Sequence, residues 1–145
     1  MMSRLAKRYG ARVARPRKAQ PRARSLEAMA IENAVEGCVR ETFGALVATM
    51  QARSADDPAV RNVMDRIARD ETRHASLGWA VARWVERRLD ASARARVTAA
   101  TRKGVADLLH ELEREVPAAV RSLAGLPNGA QARQMANEMR RALWA

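Results

Sequence analysis

A single cysteine, Cys38, leaves this 145-residue sequence without the means to form an internal disulfide. Aromatic residues are nearly as scarce, at 3%, so any core must be built from small and aliphatic side chains. No stretch alternates β-branched and polar residues, which excludes a sheet. No run of 18 apolar residues exists, which excludes a transmembrane helix. The N-terminus is basic but has no apolar run of the secretory type, so a cytoplasmic protein is expected. A Gly-rich phosphate loop, a nucleophile elbow and paired-cysteine zinc spacings are all missing. Nucleotide-binding, serine-hydrolase and zinc-finger chemistry therefore have no support.

Lysine is also rare: three of the 27 basic residues are Lys, and the rest are Arg. The net charge of +11 is unevenly placed. Residues 1–24 carry nine basic side chains and no acid, which leaves 18 basic against 16 acidic residues in 25–145. The Arg-, Pro- and Gln-rich stretch between Gly10 and Pro21 cannot pack a core. Residues 1–24 thus read as a flexible basic tail, and 25–145 as one helical domain. Phosphate neutralisation on nucleic acid is one use for such a tail. With only Tyr9 as an interleaved aromatic, a solvated segment is the better reading.

What remains is helical. A first long helix is expected from Ser25, as N-cap, to Arg53. A break at Ser54–Asp57 follows, with Asp57 as the next N-cap and Pro58 at the first helical position. The second helix is expected to run to about Leu89. A third covers Ala93 to about Leu123, kinked or split at Pro117, and a fourth Ala130 to Leu143.

The second helix carries an anomaly. At 100° per residue, Val60, Met64, Ile67, Ala75, Gly78, Ala82 and Val85 form an apolar stripe, and Glu71 and His74 fall in it. A carboxylate aimed at a core without a partner costs several kcal/mol, roughly, so a reason is needed. Glu71 and His74, three residues apart, can reach one metal ion. On the first helix Val39, Phe43, Leu46, Val47 and Met50 form a stripe that includes Glu32 and Glu36, whereas Glu41 is expected to face solvent. An antiparallel return would bring Glu36 level with Glu71. One Glu from one helix and a Glu-x-x-His from the next is half the ligand set of a bundle-core di-metal carboxylate site.

These residues resemble one repeat of the ferritin-like superfamily. The segment Glu36-Gly37-Cys38-Val39-Arg40-Glu41-Thr42, with Asp70-Glu71-Thr72-Arg73-His74-Ala75, is similar to uncharacterised bacterial ferritin-like domain proteins. Members carry two such helix pairs in one chain, and this sequence carries one. The resemblance implies a long antiparallel helix pair plus C-terminal helices, completed to a four-helix bundle in a homodimer. It also implies Glu36, Glu71 and His74 as metal ligands, and Asp70 as an acceptor that orients a facing histidine, with Arg73 beside it. Ferroxidase, peroxidase or oxygenase chemistry on di-iron, or on manganese, would follow.

The bland alternatives stay open. Glu71 and His74 could form a buried ion pair, Glu32 is more simply a salt bridge than an extra ligand, and Asp70 and Arg73 are ordinary solvated charges elsewhere. Cys38 reads as a packing residue, His110 with Glu113 as a surface pair, and Met29, Met50 and Met64 as core fillers. Small Ala75 and Gly78 would leave room for an oxidant. A half-bundle that acts only as a helical interaction module is the competing function.

Overall fold

The computed structural model describes residues 2–12 and 23–144, and every element among them is helical. Helix α1 spans Met2–Arg8. Helices α2 (Leu26–Asn33) and α3 (Thr42–Ser54) are joined by a π-helical segment, Ala34–Glu41, and together make the first long helix. Helix α4 (Pro58–Glu86) returns along it, followed by α5 (Ala91–Glu111), α6 (Ala118–Ala124) and α7 (Gly129–Leu143).

Local chemistry sets the boundaries. The side chains of Ser25, Asp57 and Asp90 accept hydrogen bonds from the Ala28, Ala59 and Ala93 amides, each satisfying a donor with no partner in its own helix. Asn128 and Gln131 form a reciprocal capping box on α7. The expected helix from Ala93 to Leu123 is two helices. A residue before proline is biased away from the helical region; α5 stops at Glu111, and Pro117 stands at the N-cap of α6. Gly125 ends α6 at φ +65°, with its Cα face against the backbone of Ala55, where a side chain has no room.

The long hairpin is antiparallel, because contacts descend along α4 as they climb the first helix. Asn33 Nδ2 donates to the Gly78 carbonyl at 2.9 Å, Glu41 meets Glu71 and His74, and Ala48 and Ala55 pack with Val60, Met64 and Ala68. The closest approach is backbone on backbone. A Cβ on Gly78 would lie 2.9 Å from the Gly37 Cα, and one on Gly37 would lie 3.1 Å from the Gly78 Cα.

The first helix therefore has two working faces. Val39 and Phe43 pack with Val105, Leu108, Ala132, Ala136 and Trp144 beneath α5 and α7. The face toward α4 is instead Asn33, Gly37, Glu41, Ala45 and Ala48, mostly at four-residue spacing. In an α-helix that spacing drifts about 40° per step, or about 120° by Ala45. A π-helical turn closes i→i+5, so each residue advances less and the drift is absorbed. The Trp144 indole N–H donates to the Cys38 carbonyl at 2.9 Å, and the Thr42 hydroxyl donates to the Gly37 carbonyl at 3.4 Å. Both reinforce the segment where regular helical bonding is interrupted. Leu46 and Met29, expected inward, are consequently exposed.

The basic N-terminal stretch is not uniformly a tail. Leu5 of α1 packs on the Ala48–Met64 cluster, and Tyr9 donates its hydroxyl proton to Asp57, which also pairs with Arg8 at 3.3 Å. The Arg-, Pro- and Gln-rich remainder, 13–22, lies outside the described residues. Among the described residues no helix is long and apolar enough to cross a membrane.

The crossing yields a stability prediction. Gly78→Ala forces the two backbones apart and should destabilise the protein by about 1–3 kcal/mol, the usual cost of overpacking. Gly44→Ala, where nothing lies within 4 Å of the added methyl, should be neutral or stabilising by up to about 1 kcal/mol. Urea denaturation of both variants checks this, and equal effects would contradict the contact.

Candidate metal centre

Three ligand-type side chains converge where the π segment ends. Glu41, Glu71 and His74 each place one donor atom within 4.8 Å of the others. His74 Nδ1 lies 3.6 Å from Glu41 Oε2 and 3.8 Å from Glu71 Oε2. Glu71 lies beside the buried stripe of α4, Val60, Met64, Ala68, Ala75, Gly78 and Val85, with its side chain half-buried rather than in the core. His74 stands at the stripe's edge rather than its middle, and its side chain is 59% exposed.

The helical phase expected of the first helix is reversed here. Glu36, placed inward by 100° stepping, has a side chain 61% exposed and lies 3.8 Å from Arg40 Nε. Glu41, placed in solvent by the same stepping, turns toward α4 with its Oε2 buried. The cause is the wider winding of Ala34–Glu41, which lags the α-helical phase by roughly one residue, about 100°. Glu36 is therefore not among the clustered side chains, and Glu41 is. Sequence reasoning missed Glu41 because it assumed one pitch throughout. The four-residue ladder Asn33, Gly37, Glu41, Ala45 was the available signal.

The other candidates lie outside the cluster. Glu32, near the end of α2, forms an ion pair with Arg24, which precedes that helix. Asp70 and Arg73 pair with each other at 2.9 Å on an exposed face. His110 is exposed and lies 3.1 Å from Glu113. Cys38 is buried, and burial pushes its thiol up to about 11. Met64 is a core residue, as expected. The space expected around Gly78 is filled by the Gly37 backbone, so no oxidant can lie there. Ala75 is likewise buried in the helix packing.

Electrostatics make the cluster demanding. The Glu71 carboxyl is held above its ordinary pKa, first by its hydrogen-bonding contact with the Glu41 carboxyl. Burial and the Glu41 charge add to this, while His74 pulls the other way. Glu41 Oε2 has no hydrogen-bond donor when both acids are ionised. A shared proton satisfies it, and so would a cation. Two carboxylate oxygens and one imidazole nitrogen are a donor set suited to Fe(II), Mn(II) or Zn(II). The residues present thus fit a divalent transition metal.

The chain matches no protein-family model, no curated protein and no solved structure.

A pH dependence follows from Glu71. A carboxyl whose pKa is raised on folding binds its proton more tightly in the folded state. Its stabilising contribution is complete below the unfolded value, about 4.3, and is lost as pH rises through the folded value. In chelator, the urea midpoint of wild type should fall relative to Glu71→Gln as pH rises from about 4 to 7. A difference constant with pH would contradict the Glu41–Glu71 coupling.

Proposed function

We propose that Glu41, Glu71 and His74 hold iron or manganese. Two copies of the chain then close a di-metal carboxylate centre of ferritin-like type with oxidoreductase activity. The observation that carries this reading is the convergence of three donors around a buried carboxylate oxygen that accepts no hydrogen bond. Glu41 replaces Glu36 in the ligand set implied by the family resemblance. When bound, Fe(II) would supply the electrons for reduction of O₂ or peroxide. The protein's part is to hold Glu41 and Glu71 level across the hairpin, where an ion would take the place of the proton between them, and to present the His74 nitrogen from one turn further along α4.

Three donors, two of them anionic, are too few for two metals. Two-fold pairing would supply four carboxylates and two histidines, the complement of a bundle-core site. The exposure of His74 fits that arrangement, as does the apolar surface beside it. Leu77 is 63% exposed and Trp84 48% exposed, both within ~80° of His74 around α4. The same apolar face favours a second reading, a helical interaction module that needs no metal. Pairing without metal uptake would support that reading instead.

Metal analysis after dialysis against Fe(II) or Mn(II) tests the proposal. Wild type should retain one ion per chain, and Glu41→Ala and His74→Ala should retain none. Glu36→Ala should bind like wild type. Sedimentation of the same samples should give a dimer. Metal retained by Glu41→Ala, or lost only from Glu36→Ala, would overturn the assignment.

A further inference from the structure

A cavity of about 390 Å³ lies away from the carboxylate cluster. It is a half-open cleft bordered by the N-terminal part of the first long helix, the C-terminal half of α4, the start of α5 and the end of α7. Its volume falls within the ~300–1,000 Å³ typical of small-molecule sites. Its walls are mostly apolar, formed by Ala34, Ala82, Val85, Val97, Trp79 and Trp144, with Thr98 and Thr101 as the uncharged polar side chains among them. Both indoles have their N–H groups committed elsewhere: Trp79 donates to the Thr42 hydroxyl at 3.1 Å and Trp144 to the Cys38 carbonyl. They present ring surface, not donors, to an occupant.

The charged side chains that line the cavity are Arg83, Arg94 and Arg102, against one acid, Glu86. Arg94 is engaged: its guanidinium donates to the Leu89 carbonyl at 2.8 Å and the Glu86 carbonyl at 3.4 Å, closing the end of α4. Arg83 and Arg102 are exposed and form no ion pair among the described residues. Cys38, also in the wall, stays a neutral thiol and adds no charge. Apolar walls with two unpaired guanidinium groups at the rim complement a molecule with an apolar body and one anionic end. A guanidinium fork matches a carboxylate in shape as well as charge.

We propose that this cavity binds an apolar monocarboxylate, an acyl or aryl acid, with its body between Trp79 and Trp144 and its carboxylate on Arg83 and Arg102. The site is separate from the Glu41–Glu71–His74 cluster and independent of the metal reading.

Full-length protein titrated with decanoate, 1-decanol and decyltrimethylammonium tests this, followed by the indole N–H resonances. Decanoate should shift the Trp79 and Trp144 signals and leave Trp84, which lies outside the cavity with Arg88 over its ring at 4.2 Å, unmoved. Decanol should bind at least tenfold more weakly, and decyltrimethylammonium should not bind. In the double variant Arg83→Gln with Arg102→Gln, both at exposed positions that should tolerate the change, decanoate affinity should fall at least tenfold while decanol is unaffected. Glu41→Ala should bind decanoate like wild type, which keeps this test distinct from that of the metal site. Equal binding of the cation, an unchanged double variant, or a shift of Trp84 matching those of Trp79 and Trp144 would overturn the proposal.

Discussion

The hairpin depends on two glycines, Gly37 and Gly78, which let the backbones of its long helices touch. Contact that close requires a glycine on each helix at the crossing, and the neighbouring turns of the first helix must keep facing α4. Asn33 follows by donating to the Gly78 carbonyl, and Ala45 and Ala48 continue the narrow face. An α-helix cannot hold that ladder, since positions four apart rotate away from the partner. The π-helical winding of Ala34–Glu41 reconciles the two demands. Glu41 is the last residue of that segment, so the geometry that relieves the packing also turns a carboxylate inward.

The chemistry of the cluster follows from that placement. Glu41 brought against Glu71 gives two acids that cannot both be ionised cheaply in a half-buried site. A proton relieves the repulsion at low pH. On the proposed reading a divalent cation would relieve it instead, with His74 offering a ring nitrogen as the third donor. The cleft on the far side of the Gly37–Gly78 crossing has the opposite character, with arginines among its lining residues and mostly apolar walls. The π segment thus borders both features, through Glu41 on one and through Ala34 and Cys38 on the other.

Much of the fold was legible in the sequence because local rules dominate at helix ends. Asp57-Pro58 marked the hairpin turn, Pro117 the division of the third helix, and the last helix, expected from Ala130, starts one residue earlier at Gly129. Glu71 and His74 were legible because a carboxylate in an apolar stripe is costly enough to need a cause. Glu36 and Glu41 were misplaced relative to each other, since periodicity assumes a constant pitch and the pitch changes between them. Bonding that switches from i→i+4 to i→i+5 leaves no composition signature. The four-residue ladder Asn33, Gly37, Glu41, Ala45, with a glycine where another helix must touch, is the hint it leaves. The helix at Met2–Arg8 was hidden within a strongly basic stretch, where charge masked the apolar contact of Leu5.

The account rests on the π segment delivering Glu41, and not Glu36, to Glu71 and His74. A crystal structure of the protein loaded with Mn(II), with anomalous scattering recorded from the metal, tests this most directly. The account predicts an anomalous peak bonded to carboxylate oxygens of Glu41 and Glu71 and to a ring nitrogen of His74, with Glu36 remote from it. A peak liganded by Glu36, or a regular α-helix through Ala34–Glu41 with Glu41 in solvent, would contradict it.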